Sequence, residues 1–220
     1  MACPFDTKPR WERRKDARPQ ELLEAALDLF VERGYAATRL EDVARRAGVS
    51  KGTLYLYYEN KEELFKAVVR SSIVPIIGDA EVSVAEFEGH SADLLRQLVL
   101  SWWGRLGATK VSGIIKLVTA ESDNFPELAC FYQEEVINRG TRAMATMLER
   151  GIARGDFRPI NVSMMTQVLV APMLMLITWK HSVGPCPRAE LDPQAFLDTF
   201  LDMALHGLSP SVTAAPAGAR

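Results

Sequence analysis

Apolar residues recur every three or four positions through most of this chain, and glycine, proline or asparagine interrupts the pattern at intervals. The first such segment runs from Pro19 to Arg33 and stops before Gly34, a residue type that commonly ends helices. Its apolar positions, at helical spacing, are Leu22, Leu23, Ala26, Leu27, Leu29 and Phe30. We find no convincing strand pattern, and the sequence therefore predicts an all-α fold.

The same periodicity predicts about nine helices in total. Their approximate ranges are 19–33, 40–47, 51–57, 60–74, 91–106, 109–121, 125–153, 161–181 and 193–207. The fourth is expected to end where Pro75 and Gly78 break the pattern. This order predicts a small N-terminal module attached to a larger helical body.

The composition is that of a soluble globular protein: 220 residues, 48% of them hydrophobic, can bury a core without disulfides or a metal. Cys3, Cys130 and Cys186 show no C-x-x-C spacing, which fits a reducing cytosol. The first residues lack the apolar stretch of a secretory signal. The longest apolar run, 168–177, is too short to span a bilayer and predicts a buried helix. We expect a cytoplasmic protein with no membrane partner.

Basic residues are concentrated near the front of the chain, although the formal net charge is −2. They are Lys8, Arg10, Arg13, Arg14, Lys15 and Arg18, against Glu12 and Asp16. Such a segment can form an arm that contacts the backbone or minor groove of DNA. A solvated run of charges has the same composition, and both interpretations stay open.

Two short predicted helices, 40–47 and 51–57, are joined by a glycine turn, which is the pattern of a helix-turn-helix. Ala44 is small where the helices cross, and Gly48 tolerates a positive φ where the chain reverses. Apolar contacts that fix the angle between the helices are expected from Val43, Ala47, Val49 and Leu54. Ser50 can cap the second helix, and the first turn of such a helix faces the major groove of DNA.

On its own, this pattern is equally typical of an ordinary corner between two helices. The residues that follow favour DNA, because Tyr55, Tyr57, Tyr58 and Lys61 carry groups that bond phosphate oxygens. Three tyrosines within four positions cannot all point inward from one helix. At least one of them is therefore expected to be exposed or paired with a polar group.

Residues 17–69 closely resemble the DNA-binding domain of the TetR-type (TetR/AcrR) family of bacterial repressors. The resemblance rests on the corner formed by Phe30, Gly34 and Tyr35, on Thr38, and on AGVSKGTLYLYY leading into NKEEL. Tyr58 departs from the family, which most often has phenylalanine there. The stretch 110–140 is similar to a subgroup of these regulators, AcrR-like, that is often linked to efflux control.

The resemblance implies roles for individual residues. Thr38 and Arg39 would begin the second helix and touch the DNA backbone, and Lys61 would hold a phosphate. The recognition face would consist of Ser50, Lys51, Gly52, Thr53, Tyr55 and Tyr57. Lys51 and Thr53 would lie nearest the bases.

We expect a basic arm over 1–16, a helix-turn-helix domain over 17–62, a ligand-binding and dimerisation domain over 63–208, and a disordered tail over 209–220. One small module reads too few base pairs, so a homodimer on a palindromic operator is expected, with recognition helices about 34–36 Å apart. The resemblance places the dimer interface on the last two helices. Its candidate residues are Met164, Val168, Leu176, Phe196, Phe200, Leu201 and Leu205. Apolar stripes of this kind also serve as the core of one protomer.

A regulator of this type would hold a small hydrophobic or aromatic effector between the DNA-binding module and the interface. Candidates to line the pocket are Trp102, Trp103, Leu106, Ile115, Phe125, Phe131, Tyr132, Met144, Met147, Met173 and Trp179. Each of these is also a typical core residue. One of the adjacent tryptophans, Trp102 and Trp103, can face a cavity while the other packs.

Other classes of function find less support in the residues. His90, His181 and His206 are scattered, and no metalloprotease, serine hydrolase or phosphate-binding-loop motif occurs. We therefore expect no enzymatic activity, no metal and no cofactor. Two alternatives to a small effector remain, namely control by a protein partner and control by oxidation of Cys130. A lone cysteine such as Cys130 is typically a buried small hydrophobe.

Overall fold

This computed structural model describes residues 18–183 and 191–210, and over those residues every regular element is helical. The all-α prediction is confirmed. The helices are α1 (Arg18–Ala37), α2 (Leu40–Arg46), α3 (Lys51–Tyr55), α4 (Lys61–Ser72), α5 (Val74–Glu86), α6 (Ser91–Trp102), α7 (Ser112–Glu121), α8 (Pro126–Tyr132), α9 (Asn138–Ala153), α10 (Val162–Thr178) and α11 (Pro193–Leu208). Three π-helical turns extend them: Trp103–Gly107 follows α6, Gln133–Ile137 joins α8 to α9, and Trp179–Val183 follows α10.

Side-chain caps and positive-φ glycines set several of these boundaries. Ser50 and Asn60 accept hydrogen bonds from the backbone N–H groups of Thr53 (3.1 Å) and Glu63 (2.9 Å), so both predicted caps are confirmed. Gly34 interrupts α1 with a φ of 82°, and Gly48 reverses the chain with a φ of 67°. Both glycines adopt the left-handed conformation that other residues disfavour.

The structure departs from the sequence prediction after α4, where it contains a further helix, α5, in place of a break. Ile73 separates the two helices, and Pro75 lies in the first turn of α5. In a first turn the missing N–H of proline would have no partner in any case, so proline starts this helix rather than ending the previous one.

Two hydrophobic clusters form the core. The first combines the buried faces of α1 to α4 with residues of α7 and α8, and also contains Ile177 of α10. The second lies among α6, α9, α10 and α11. Trp102 and Trp103 pack against both clusters. The predicted DNA-binding module therefore shares its core with the body, and the expected boundary after residue 62 falls inside α4.

Helix α10 is apolar on most sides but is buried on only one. With its π-helical turn it spans Val162–Val183, 22 residues with a mean hydropathy of 1.6, which by length and composition is enough to cross a membrane. A single such helix is weak evidence for a membrane span. Leu169 and Leu176 are buried, whereas Val168 is 58% exposed. The prediction that the run 168–177 is a buried helix is therefore correct for one face alone.

Candidate nucleic-acid interface and effector cavity

The second helix of the helix-turn-helix, α3, packs against the core through its inner side and is capped at its N-terminus. Leu54 is fully buried in the first cluster, which confirms its inward orientation, and Tyr58 packs against the same cluster. The backbone N–H of Val49 donates to the carbonyl of Ala44 at 2.9 Å, which closes the turn between α2 and α3. These contacts fix the direction of α3 relative to α2, so its outer face is presented as a rigid surface.

That outer face carries one cation and two phenols. Tyr55 and Tyr57 are each 42% exposed, and the Nζ of Lys51 lies 5.6 Å from the centre of the Tyr55 ring. Lys51 also pairs with Glu41 across the turn, with Nζ 2.6 Å from Oε1. The hydrogen bond to Glu41 raises the pKa of Lys51, so the amine stays protonated at neutral pH.

Leu56 is an exposed residue that the sequence reasoning did not single out. It lies between the two exposed tyrosines and is 83% exposed. Its position in the sequence, just after α3 and between Tyr55 and Tyr57, is the signal from which its exposure could have been predicted. Arg39 and Gly52 are exposed, as a DNA contact requires, and Ser50 is exposed while it caps α3. Thr53 is half-buried and bonds the Ser50 hydroxyl.

Thr38 does not have the placement expected of a DNA contact. Its side chain is buried, and its hydroxyl donates to the carbonyls of Gly34 (2.7 Å) and Leu29 (3.1 Å). These bonds tie Thr38 to the last turns of α1 around the interruption at Gly34. We therefore assign the Thr38 side chain to the structure of this corner rather than to the DNA-contacting surface.

Lys61 has an internal role at the same corner. Its Nζ donates to the carbonyls of Tyr35 (2.7 Å) and Ala36 (3.1 Å) and lies 4.4 Å from the centre of the Tyr35 ring. Burial lowers the pKa of Lys61, while the charge of Glu121 acts in the opposite direction. Burial also raises the pKa of Tyr35 to about 12. An ammonium has three hydrogens, so one remains for a phosphate beside these two bonds.

The predicted interface residues divide between the surface and the core of the protomer. Met164 and Val168 are exposed, and Phe196 and Leu205 are half-buried. Three others, Leu176, Phe200 and Leu201, are buried in the second cluster, so we assign them to the protomer core. They lie on the sides of α10 and α11 that pack within the body. Exposed apolar residues that the sequence reasoning missed on these helices are Leu174, Met175 and Met203.

Of the predicted pocket residues, two line a cavity in the body, Trp103 and Trp179. The cavity has a volume of about 420 Å³ and is also lined by Ala108, Leu176, Lys180, Leu191 and Pro193. The other candidates pack in or against the two clusters: Trp102, Leu106, Ile115, Phe125, Phe131, Tyr132, Met144, Met147 and Met173. The alternative for those residues, a place in the core, is the one that the structure supports.

A second, more open cleft of about 570 Å³ lies beside the end of α3 and along α4. Its lining residues are Tyr57, Tyr58, Glu59, Glu63, Ala67, Arg70 and Ser71. Cys130 is exposed, which corrects the expectation that it is buried. The basic arm, Cys3, Cys186 and most of the expected tail lie outside the described residues. Over residues 18–183 and 191–210, no group of three His, Cys, Asp or Glu residues is placed to hold a metal.

The chain matches two family models, one for each part of the predicted organisation. The model described as "Bacterial regulatory proteins, tetR family" matches residues 22–68, and "Tetracyclin repressor-like, C-terminal domain" matches residues 88–192. The chain is similar to the repressor KstR2 of Mycolicibacterium smegmatis, 24% identical over 197 residues that cover 89% of this chain and 92% of the relative. It is also similar to the regulator TtgR of Pseudomonas putida, 29% identical over 212 residues, with coverage of 91% and 96%.

Solved structures show the same fold. The transcriptional regulator FadR of Bacillus subtilis, in complex with stearoyl-CoA, matches with a TM-score of 0.73 and 20% identity, over 86% of this chain and 98% of that one. The helix-turn-helix geometry, the two family models and the nearly full-length relatives agree. The chain therefore belongs to the TetR family of bacterial DNA-binding transcriptional regulators.

Proposed function

We propose that this chain is a homodimeric repressor that binds a palindromic operator and is released from it by a small hydrophobic or aromatic ligand. The observation that carries the proposal is that one side of α3 packs into the core while the other side is exposed. Leu54 holds the helix to the core, while Lys51 in its capped first turn, Tyr55 at its end and Tyr57 just beyond it are exposed. In a helix-turn-helix, this turn enters the major groove, where cations and phenols fix the register on the phosphates.

The exposed apolar face of α10 supports the homodimer. Met164, Val168 and Met175 lie at spacings of four and seven along the helix, and each is at least 40% exposed. Exposed apolar patches of this kind mark protein interfaces. A second copy of the same helix would cover this face, and a two-fold pair of protomers matches a palindromic site.

The effector cavity supports ligand control, with two tryptophan rings and about 420 Å³ of space. The solved relative FadR of Bacillus subtilis is in complex with stearoyl-CoA, so the fold has room for an acyl ligand in at least one member. Control by a protein partner is the alternative, because most of the predicted pocket residues are packed in the core. The exposed Cys130 keeps oxidation as a further alternative.

The decisive experiment is selection of binding sites from random duplex DNA, with the purified protein. We expect an inverted repeat, bound more weakly as salt rises. The Lys51→Ala Tyr55→Ala double variant is expected to lose at least about tenfold in affinity, since bonds to charged phosphates are lost. Arg96→Ala, which removes an exposed cation from α6, is the matched control and is expected to bind as the wild type does.

Failure to enrich any sequence would contradict the proposal, provided that a co-purified ligand is first removed. Unfolding, dialysis and refolding before a repeated selection meets that condition. Recovery of an asymmetric single site would leave DNA binding intact but contradict the two-fold dimer.

A further inference from the structure

Among the described residues that line the cavity in the body, Lys180 is the charged one. Its Nζ donates to the carbonyls of Gly107 (2.9 Å) and Thr109 (2.8 Å), and the Ser112 hydroxyl lies at 3.4 Å. Gly107 and Thr109 belong to the turn between α6 and α7, and Ser112 is the first residue of α7. Lys180 therefore connects the cavity to that turn, and its bonds there are to neutral oxygens.

The surroundings of Lys180 are positively charged. His181 Nε2 lies 2.9 Å from the Ser112 hydroxyl, and Lys116 donates to the carbonyl of His181 at 3.0 Å. In the described part of the chain, none of these three side chains has a carboxylate within ion-pair distance, 4 Å. Burial lowers the pKa of Lys180, and burial together with Lys180 and Lys116 lowers the pKa of His181. Two lysines, Lys180 and Lys116, thus lie close together with no carboxylate beside them in the described residues, and this end of the cavity is suited to an anion.

The remaining wall of the cavity is apolar. Trp103, Leu176, Trp179 and Leu191 supply most of it, and about 420 Å³ is within the roughly 300–1,000 Å³ that is usual for ligand pockets. A side chain at Gly107 would overlap the Trp103 ring, so this ring lies directly on the turn that Lys180 bonds. Apolar walls with a single cation are complementary to a molecule that has a hydrocarbon body and one negative group.

We propose that the effector is an apolar anion, a molecule with an aliphatic or aromatic body and one carboxylate or phosphate group, and that Lys180 binds this group. The inference rests on the proposed function, because it names the chemical class of the effector. A bond from Lys180 to an anion carries charge on both partners, whereas its bonds to the carbonyls carry charge on the donor alone, so the bond to the anion is the stronger. It also offsets the unfavourable burial of the ammonium.

The same turn contacts the DNA-binding module. Lys110 of this turn pairs with Asp28 of α1 at 2.6 Å, and Gly113, in the first turn of α7 that follows, lies against Val31 of α1. When Lys180 turns toward a bound anion, the carbonyls of Gly107 and Thr109 lose their donor. The turn then relaxes against α1, which changes the position of the module. The effect on DNA affinity equals the difference in ligand affinity between the two positions.

The test uses the full chain without DNA and three probes that share one alkyl chain: decanoate, decyl phosphate and decanol. Binding is followed by calorimetry and by tryptophan fluorescence, since Trp103 and Trp179 line the cavity. The wild type is expected to bind at least one of the anions about tenfold more tightly than decanol. Which anion binds more tightly distinguishes a carboxylate from a phosphate effector.

Lys180→Met is expected to reduce anion binding to the level of decanol, while Lys180→Arg keeps the preference for the anion. Lys66→Met, which removes a lysine of α4 that does not line the cavity, is the matched control and should bind as the wild type does. Equal binding of all three probes by the wild type, no binding of any, or a preference that survives in a folded Lys180→Met protein would overturn the proposal. If Lys180→Met does not fold, the affinities of the wild type for the two anions and for decanol decide the test.

This outcome is independent of operator recognition, because no DNA is present. A protein that selects an inverted repeat but shows no anion preference contradicts the effector class alone. A protein that prefers the anion but selects no DNA contradicts the proposed repressor function alone. When both hold, the preferred anion is expected to weaken the complex with the selected operator.

Discussion

Gly113 of α7 lies close against Val31 of α1, where the body meets the DNA-binding module. A Cβ at this position would lie 2.6 Å from Cγ1 and 2.8 Å from Cγ2 of Val31, both shorter than real contacts of this kind. Both residues lie on helices, α7 and α1, whose own packing leaves the valine little room to move. A single hydrogen at residue 113 therefore sets the distance between two functional parts of the molecule.

Gly113→Ala is accordingly expected to destabilise the protein by about 1–3 kcal/mol, the usual penalty of overpacking. Gly140 lies in α9 with open space around it, so Gly140→Ala should instead stabilise by roughly 0.5–1 kcal/mol through better helix propensity. Urea unfolding of both variants measures the difference. Equal effects of the two substitutions would mean that α1 and α7 adjust without cost.

His181 is expected to titrate below the ordinary histidine range, because burial and then the charges of Lys180 and Lys116 lower its pKa. The folded protein then holds this proton less tightly than the unfolded chain. Protonation of His181 therefore lowers the free energy of unfolding as the pH falls below about 6.5, and above that pH the histidine causes no such loss.

An NMR titration of the three histidines measures this directly, with His181→Gln to assign the signal. Lys116→Gln should move the midpoint of His181 upward, since one repelling charge is removed. A midpoint at or above that of a free histidine would contradict the arrangement around Ser112.

Among the elements, the helices that begin with a local side-chain cap were the easiest to predict. Asn60 and Ser50 act on N–H groups three residues away, so sequence spacing alone locates α3 and α4. Helix α5 was missed because Pro75 has two opposite meanings. Proline ends a helix that precedes it and starts one that follows. The choice depends on the packing of Ile77 and Val84 of α5, which belong to the first and the second cluster respectively.

Removal of the α4 cap tests how much this local signal contributes. Asn60→Ala is expected to lower the free energy of unfolding by about 1 kcal/mol, because the N–H of Glu63 loses its acceptor. Asn60→Ser retains a capping oxygen and should lose much less. Thermal or urea unfolding of the pair gives the answer, and an equal loss in both would assign the effect to something other than the cap.

At the scale of the whole molecule, the sequence indicated which helices are apolar but not which of their sides meets the protomer. Both stripes of α10 and α11 have helical spacing, and only the packing against α6 and α9 separates Leu176, inside, from Val168, outside. The lining of the cavity could likewise be predicted only in part from the sequence. Trp103 and Trp179 were recognisable as bulky apolar residues, whereas the position of Lys180 depends on a turn distant in sequence.

The exposed side of α10 yields a prediction about assembly. Val168→Asp is expected to convert the dimer to a monomer, because a carboxylate would be buried without a partner in the contact between copies. Val82 of α5 is comparably exposed, at 53% against 58%, and Val82→Asp should leave the dimer intact. Sedimentation velocity measures both. A wild type that sediments as a monomer would contradict the proposed dimer, and a Val168→Asp protein that stays dimeric would place the interface elsewhere.

The core that α1 shares with both the recognition helix and the body has a consequence for how such regulators can be recombined. Leu54 of α3 and Ile114 of α7 belong to the same hydrophobic cluster, so the DNA-binding module and the body share one continuous core. A chimera that joins this DNA-binding module to the body of a relative must therefore keep together the residues of α1 and α7 that contact each other. The DNA sequence and the proposed effector that such a protein binds can change independently of each other only through residues away from the α1–α7 contact. Those residues lie on the outer side of α3 and inside the cavity.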